Sequence, residues 1–378
     1  MSLIAIFGDI CPDNCFRFIF DSRTFGPLSN EIVQDLKKAE LVIGNLECPI
    51  VKYEKPIAKS GPNLCAKRCD ITVLKNAGFR ILSLANNHIL DYGEEAVQNT
   101  INECNKNGIL TVGAGANSDK ASKPLIVKSG NTSIGIISFA EAEFNLANHS
   151  SAGANGFDPY TSYENIKNLK EEVDFLIVLY HGGIEYYKYP SPLLRKKCQG
   201  MIRSGASLVL CQHSHCIGTF EEYRDGSILY GQGNSIFGYK KGNASWNEGL
   251  LLFIDTDTRS IEMKLLLANE NGVCYASKEA ERKRITQLFS ESQIISNPSA
   301  LEKEWKKFCL SIAPLDMPLL YGKNRVFIKL NRILKNRLIN LFINHDKQMT
   351  TMNLIRCESH REVIQTILEE KVFGQVYI

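Results

Sequence analysis

The stretch LANNHILDYG, residues 84–93, marks the point where an apolar run of this sequence ends and a group of polar side chains begins. The polar members are Asn86, Asn87, His88 and Asp91. A buried strand that passes directly into a helix needs only one capping side chain. A group of polar side chains at a single strand end therefore indicates a ligand-binding or reactive site.

Apolar runs with polar endings recur along the first part of the chain. They are LIAIFGD (3–9), ELVIGNLE (40–47), RILSLANNH (80–88), SIGIISFAE (133–141), VDFLIVLYHGG (173–183) and ASLVLCQHSH (206–215). Helical patterns separate most of them, over about 28–39, 67–77, 93–108, 162–172 and 191–204. Nearly continuous apolar strands between helices are buried on both faces, so the sequence predicts a layered α/β/α sheet. Further runs over 227–270 have no helix between them and are predicted to add antiparallel strands to that sheet.

The pattern of apolar and polar residues changes after about residue 278. Helical periodicity without strand-like runs follows, for example in SKEAERKRITQLFSES and SALEKEWKKFCLSI. We therefore predict two parts, an α/β domain over residues 1–278 and a helical C-terminal region over residues 279–378.

Composition sets limits on the class of protein. The chain has 378 residues, 44% of them hydrophobic and 22% charged, which is normal for a globular protein. A net charge of +3 is too small to predict a nucleic-acid partner. No apolar run approaches the roughly 20 residues of a membrane span, and the start MSLIAIFGDI predicts a strand rather than a signal peptide. We therefore expect a cytoplasmic protein; removal of a natural leader is the alternative that the sequence leaves open.

The 12 cysteines indicate a reducing environment. Two pairs have C-x3-C spacing, Cys11 with Cys15 and Cys65 with Cys69, and neither has the spacing of a zinc module. Most are expected to be free thiols that pack as small apolar groups.

The apolar runs end in acidic, amide or imidazole side chains. Their final side chains are Asp9 for the first run, Asn45 and Glu47 for the second, Asn87 and His88 for the third, His181 and Glu185 for the fifth, and His213 and His215 for the sixth. Parallel strands bring such ends together at one edge of a sheet. Carboxylates, imidazoles and an amide oxygen are the usual ligands of Zn2+, Mn2+ or Fe. Taken singly, each residue has an ordinary explanation as a turn, cap or hydrogen-bonding residue; taken together they predict a metal site.

The order of these motifs resembles that of the CapA-type capsule or poly-γ-glutamate synthesis proteins. The matching stretches are Gly8-Asp9, GNLECP (44–49), NNHILDYG (86–93), HGGIEY (181–186), CQHSH (211–215) and LYGQGNSIF (229–237), so the resemblance covers residues 3 to about 260. It implies a calcineurin-like metallophosphoesterase fold, that is, a layered α/β/α sheet sandwich, here with a helical C-terminal extension.

The resemblance also implies roles for individual residues. The expected metal ligands, for two divalent transition metal ions (Mn, Zn or Fe), are Asp9, Glu47, Asn87, His181, His213 and His215, with Glu47 bridging. His88 would be the acid or charge stabiliser at the leaving group, and Asp91 its orienting partner. The expected substrate-binding residues are Asn45, Asn86, Glu185 and Asn234.

The first motif departs from the larger superfamily. Metallophosphoesterases have D-x-H at the first strand, whereas this sequence has Asp9, Ile10 and Cys11. Cys11 either supplies a thiolate ligand or simply packs in the core. The metal held by Glu47, Asn87, His181 and His213 is therefore expected to bind more tightly than the metal held by Asp9, Glu47 and His215. Glu47 itself stands where the superfamily has aspartate.

The resemblance thus predicts a metal-dependent hydrolase of capsule or exopolymer biosynthesis, acting on a phosphoester or, less favourably, on an amide of a glutamate polymer. The alternative is a non-catalytic polymer-binding or assembly subunit with a degraded metal site. The expected partners are an anionic polymer or phosphoester substrate and the capsule-synthesis machinery, without nucleic acid.

One segment of the C-terminal region suggests a further partner. Residues 323–347 carry many basic side chains interleaved with apolar ones at helical spacing. Such a helix either packs its apolar face on the fold or contacts an anionic membrane peripherally.

Overall fold

The computed structural model describes residues 3–12, 16–52, 55–59, 61–320 and 325–342. In chain order the strands are β1 (Leu3–Ile10), β2 (Leu41–Leu46), β3 (Ile81–Ser83), β4 (Leu110–Val112), β5 (Ala114–Gly115), β6 (Leu125–Ser129), β7 (Thr132–Ala140), β8 (Gly153–Ala154), β9 (Phe175–His181), β10 (Leu208–Gln212), β11 (Phe220–Tyr223), β12 (Gly226–Leu229), β13 (Asn234–Ile236), β14 (Glu248–Asp255), β15 (Ser260–Asn269) and β16 (Gly272–Tyr275).

The helices follow most of the predicted helical patterns. They are α1 (Arg17–Ser22), α2 (Asn30–Leu36), α3 (Arg68–Ala77), α4 (Gly93–Lys106), α5 (Ser118–Ala121), α6 (Ser162–Lys170), α7 (Pro192–Arg203), α8 (Ala244–Asn247), α9 (Lys278–Ser292), α10 (Pro298–Leu320), α11 (Arg325–Ile333) and α12 (Arg337–Phe342), with a 3-10 turn at Gln293–Ser296.

The strands form two large sheets. The first has the order β16-β15-β14-β1-β2-β3-β4, and β13 also pairs with β1. In it β1, β2, β3 and β4 are parallel, whereas β14, β15 and β16 are antiparallel, as predicted for the later runs of residues 227–270. The prediction is wrong for the first of those runs, because β12 pairs in parallel with β10 of the second sheet and β13 pairs in parallel with β1. Helix α8 also lies between that run and β14, where no helix was predicted. The second sheet has the order β11-β12-β10-β9-β7-β6, with β7, β9, β10 and β12 parallel.

The two sheets pack face to face with helices outside. Ile6 and Ile43 of the first sheet share one buried core with Ile177 and Leu210 of the second. Helices α2 to α4 cover the outer face of the first sheet, and α6 and α7 cover that of the second. The predicted layered α/β arrangement is confirmed, but two packed sheets stand where the sequence predicted one. The sequence analysis predicted a single sheet because a strand that is buried on both faces has the same apolar sequence in a single sheet as in one of two packed sheets.

Strand β3 is much shorter than its apolar run. It ends at Ser83, although the run was predicted to continue as a strand to residue 88. The backbone leaves the sheet at Leu84, so Asn86, Asn87 and His88 lie on a loop above the strand end.

The chain divides into two compact units, Met1–Leu301 and Glu302–Ile378. The predicted boundary at residue 278 precedes α9, whose Leu288 is buried in the core between the sheets. In the second unit, α11 and α12 are joined by a turn in which the side-chain oxygen of Asn331 accepts a hydrogen bond from the Ile339 backbone N–H at 2.9 Å. Residues 343–378 of the predicted helical region lie outside the described residues. None of the helices in the described ranges has both the length and the apolar character that a membrane span requires.

Candidate metal centre

Two carboxyl groups form the floor of the site. Asp9 lies near the end of β1 and Glu47 directly follows β2, and both side chains are fully buried. Asp9 accepts hydrogen bonds from the Asn45 amide at 2.8 Å and from the His213 backbone N–H at 3.0 Å. Both carboxylate oxygens of Glu47 are buried without a hydrogen-bond partner among the described residues. A buried carboxylate without donors is costly unless a cation faces it.

Burial and mutual repulsion act on these acids. Burial raises the pKa of Asp9. It raises the pKa of Glu47 well above the usual range, and the negative charge of Asp9 raises it further. Two adjacent buried carboxyls ionise together only when positive charge lies between them.

Three histidines surround the carboxyls. His181 Nε2 lies 3.6 Å from Glu47 Oε1, and the His181 and His213 rings have centroids 4.9 Å apart. Burial, followed by repulsion from His213, holds the pKa of His181 well below its usual range. Burial lowers the pKa of His215 to about 3. Neutral imidazole is the form that binds metal ions.

The donor atoms fall into two groups that share one residue. Atoms of Glu47, His181 and His213 lie within 4.8 Å of one another, and so do atoms of Asp9, Glu47 and His215. The predicted amide ligand joins the first group, because Asn87 Oδ1 is 2.9 Å from His181 Nε2. His213 Nδ1 is another buried atom without a partner in the described part of the chain. The donor set, its burial and its unpartnered oxygens fit two divalent cations that share Glu47.

The backbone at the last motif is strained. His213 and His215 have φ angles of 89° and 51°, in the left-handed region that glycine favours. Such a conformation costs of order 1–3 kcal/mol per residue and is found where function requires it. The hydrogen bond from the His213 N–H to Asp9 helps to hold this turn against the first carboxyl.

His88 faces the centre from the loop above β3. Its Nε2 is 4.0 Å from Glu47 Oε1, and its Nδ1 is 2.6 Å from Asp91 Oδ2. The Leu64 backbone N–H donates to the same Asp91 oxygen at 2.7 Å. The predicted pairing of His88 with Asp91 is therefore present in the structure.

Lys59 is a residue of the site that the sequence did not reveal. Its side chain is only 2% exposed, it forms an ion pair with Asp91, and its Nζ lies 3.1 Å from His88 Nδ1. Lys59 stands in a polar loop without periodicity, so no pattern of spacing could have assigned it to the site.

The three asparagines predicted to bind substrate support the site from within. The Asn45 amide nitrogen contacts Asp9 and lies 3.2 Å from His181 Nδ1. Asn86 donates to the Leu46 carbonyl at 2.8 Å and accepts from the His88 N–H at 3.1 Å. Asn234 Oδ1 is 2.9 Å from His215 Nδ1. All three are buried, and Asn45 and Asn234 contact the side chains of candidate metal ligands, whereas Asn86 contacts backbone groups of Leu46 and His88. Direct contact of these asparagines with substrate stays a prediction.

Glu185 differs from the other predicted substrate-binding residues in its exposure to solvent. It is exposed on the loop after β9, where its negative charge contributes to the raised pKa of Glu47.

Cys11 belongs to neither donor group. It is fully buried, and its thiol hydrogen-bonds with that of Cys48. Packing in the core is the interpretation that this contact favours. Its C-x3-C neighbour Cys15 lies outside the described residues.

A third donor-rich group is made of ion pairs. It contains Asp21, Cys69 and Asp70, but Asp70 pairs with Arg17 and Asp21 lies 2.9 Å from Lys67 Nζ. These cations occupy the carboxylates that a metal ion would need.

A comparison with models of known protein families shows to which family this chain belongs. The model of the family described as "Bacterial capsule synthesis protein PGA_cap" matches residues 3–239, which is more than half of the chain. The chain belongs to this family. The CapA-type resemblance found in the motifs is thereby confirmed.

Curated relatives within this capsule synthesis family are distant. The chain is 29% identical over 213 residues to the capsule biosynthesis protein CapA of Bacillus anthracis, covering 53% of this chain and 51% of the relative. It is 28% identical over 235 residues to the PGA biosynthesis protein CapA of Bacillus subtilis (strain 168), covering 61% and 62%. The chain thus spans about half to three fifths of the length of these relatives.

Solved structures show only remote similarity. A hypothetical protein from Thermus thermophilus has a TM-score of 0.43 at 14% identity, covering 72% of this chain and 96% of that one. A 5′-nucleotidase precursor from the same organism has a TM-score of 0.42 at 14% identity, covering 70% and 54%. Likeness at this level is too low to bear on function.

Proposed function

We propose that this chain is a metal-dependent hydrolase that acts on phosphoester bonds in capsule or exopolymer biosynthesis. The observation that carries the proposal is the position of Glu47. Both of its oxygens are buried and unpartnered in the described structure, close to the imidazoles of His181, His213 and His215 and to the carboxyl of Asp9. Such a carboxylate is suited to bridging two cations.

The chain supplies ligands for both positions. Glu47, Asn87, His181 and His213 would hold one divalent ion (Mn, Zn or Fe), and Asp9, Glu47 and His215 would hold the other. When bound, such a pair neutralises a phosphoryl group and lowers the pKa of a bound water.

His88 acts at the leaving group in this proposal. Its Nδ1 contacts Asp91, which leaves Nε2 directed toward the centre. Protonated on both nitrogens, the ring can donate its Nε2 proton to the departing oxygen, while the Asp91 carboxylate stabilises the imidazolium. Lys59 and the Leu64 N–H hold the two oxygens of Asp91 in place.

The substrate would be an anionic polymer precursor or another phosphoester supplied by the capsule-synthesis machinery. The names of the relatives refer to capsule and PGA biosynthesis, and this chain would serve the same kind of pathway, with poly-γ-glutamate or a polysaccharide as its product. A binding or assembly subunit without turnover is the competing possibility, and metal content separates the two.

The test combines metal analysis of the purified protein with hydrolysis of aryl phosphate mono- and diesters. We expect about two equivalents of transition metal and turnover that His88→Ala abolishes. His149→Ala, which changes an exposed histidine, is the matched control and should retain turnover. Bound metal without turnover of any phosphoester would contradict the hydrolase, and absence of metal would support the assembly subunit.

A further inference from the structure

The two ring nitrogens of His213 have different surroundings. Nδ1 is buried and has no hydrogen-bond partner in the described part of the chain, whereas Nε2 lies 3.9 Å from Glu143 Oε1. A buried polar atom without a partner is costly, so the position of Nδ1 favours a ligand that the protein itself does not supply. The oxygens of Glu47 lack partners in the same way, and Glu47 belongs to the same donor group as His213. The reasoning that directs Glu47 toward the cations thus also directs His213 Nδ1 toward them.

Glu143 faces the other nitrogen of this ring. It lies on the loop after β7, and its side chain is 41% exposed. In the described ranges no lysine or arginine nitrogen lies within 4 Å of its carboxylate, so its negative charge is not neutralised by an ion pair there. A neutral imidazole that binds a metal ion through Nδ1 carries its proton on Nε2. The Glu143 carboxylate is in a position to accept that proton in a hydrogen bond.

Hydrogen bonds hold the Glu143 loop against the metal centre. The buried side chain of Asn145 accepts from the Glu143 backbone N–H at 2.9 Å and donates to the Asn86 carbonyl at 3.0 Å. It also donates to the Glu141 carbonyl at 3.1 Å. Asn86 belongs to the loop that carries Asn87, another candidate ligand of the same ion. The backbone of Glu143 is thus tied to the loop of Asn87, and only the Glu143 side chain has to move to reach His213.

We infer that Glu143 is a positioning residue that accepts the Nε2–H of His213 and thereby directs Nδ1 to the metal ion. Carboxylate acceptors of this kind fix the tautomer and the ring orientation of metal-binding histidines. The separation of 3.9 Å exceeds a hydrogen bond, and closing it requires a shift of about 1 Å in an exposed side chain. The inference rests on the metal site of the proposed function and does not depend on hydrolysis.

A direct role as a metal ligand is the alternative for Glu143. It would place the ion beside Nε2 of His213, because Nε2 is the nitrogen that Glu143 approaches. The buried Nδ1 would then still have no partner among the described residues. The donor atoms of Glu47, His181 and His213 that lie within 4.8 Å of one another form a group without Glu143 in the described structure, which favours the positioning role. The two roles predict different nitrogens on the metal, so experiment can separate them.

The first test identifies the metal-bound nitrogen of His213. The full chain, labelled with 15N-histidine and freed of metal, is titrated with Zn2+, and long-range 1H–15N NMR spectra report which nitrogen of each ring is protonated. The His213→Ala variant assigns the His213 signals by their loss. We expect metal on Nδ1 and a proton on Nε2. Metal on Nε2 would overturn the inference.

The second test measures the affinity of the tighter metal-binding step by calorimetry with Mn2+. Glu143→Ala should weaken this step about 10- to 100-fold. Glu143→Gln, whose amide oxygen still accepts a hydrogen bond, should restore part of the loss. Glu172→Ala, at an exposed position after α6, is the matched control and should bind Mn2+ as the wild type does. Wild-type affinity in Glu143→Ala would also overturn the inference.

Aryl phosphate hydrolysis by the metal-loaded wild-type protein is scored separately. Turnover with His213 bound through Nε2 overturns the positioning role alone. Metal on Nδ1 and a weakened tight step in Glu143→Ala, without turnover of any phosphoester, overturn the proposed function alone. A chain that binds neither Zn2+ nor Mn2+ overturns both.

Discussion

Glu47 is the one residue that belongs to both donor groups of the site in the described part of the chain. Its oxygens are buried and unpartnered within the described structure, and Asp9 is the acid that raises its pKa further. The carboxylate is understandable when it has a cation to bind on each side.

Metal affinity should rise with pH. Because burial raises the pKa values of Asp9 and Glu47, these carboxyls keep their protons to higher pH than free carboxyls do, and cation binding must release those protons. His181 and His215 contribute little, since their pKa values are lowered and they are already neutral. Calorimetry of Mn2+ binding at about pH 6, in buffers of different ionisation enthalpy, should show proton release. Binding heats that do not depend on the buffer would refute this assignment.

The Lys59 ammonium should stabilise the fold through Asp91. Both side chains are almost fully buried, so Lys59→Met leaves the Asp91 carboxylate with only the His88 ring and the Leu64 N–H as partners, and it should lower the free energy of unfolding by up to about 3 kcal/mol. Asp91→Asn in the same chain should restore part of the loss. Denaturant unfolding measures both, with Lys55→Met at an exposed position as the control. A loss no larger than that of the control would show that the ion pair is not formed.

His213 and His88 should differ in what their loss removes. His213→Ala takes away a donor of the first group and should lower metal content, whereas His88→Ala should keep the metal and lose turnover. Elemental analysis of the two purified variants measures their metal content, and an aryl phosphate assay measures their turnover. Equal loss of metal in both would make His88 a ligand and would contradict the role given to it.

The candidate ligands at the strand ends could be predicted from the sequence, whereas the side chains that contact and orient them could not. Asp9, His181 and His213 each follow an apolar run, and parallel strands bring such positions to one edge. The roles of Asn45 and Lys59 depend on distances between segments far apart in the chain. No local pattern contains those distances.

At the scale of elements, apolar runs predicted strands but not their partners. Strands β1, β2, β3, β7, β9 and β10 are buried on both faces over most of their length, so their sequences fit either sheet equally well. The end of β3 at Ser83 was also hidden, because Leu84 and Ala85 remain buried after the strand stops. The chain stays buried beyond Ser83, although its pairing with the neighbouring strands ends there.

The basic helices α11 and α12 test the predicted membrane contact. The exposed apolar side chains of these helices and of the turn between them are Val326, Leu330, Ile333, Leu334 and Leu341. Residues 323, 324 and 343–347 of the predicted segment lie outside the described structure. If the segment contacts a membrane, the full chain should bind phosphatidylglycerol vesicles and not phosphatidylcholine vesicles. The charge reversals Lys329→Glu and Arg332→Glu together should weaken binding about 10-fold or more, at roughly 1 kcal/mol per basic residue.

The control for this test reverses Lys303 and Lys307, two exposed lysines of α10. Vesicle flotation at low and high salt gives the measurement. Equal binding to both lipids, or equal loss in the control, would favour the packed-helix interpretation of this segment.

At the scale of the whole molecule, two sheets create a site that neither could build alone. The first sheet supplies Asp9 and Glu47, and the second supplies His181 and the turn that carries His213 and His215. Metal binding should therefore couple the stability of the two sheets, because the ligands of each group come from both.

The most direct test of this account is a metal titration of the metal-free protein with elemental analysis. The account predicts about two ions per chain, bound in a tight step followed by a weaker one, with both lost in Glu47→Gln and both kept in the exposed control Glu95→Gln. A Glu47→Gln variant that still binds two ions as tightly as the wild type would contradict the shared carboxylate, and with it the two-cation site.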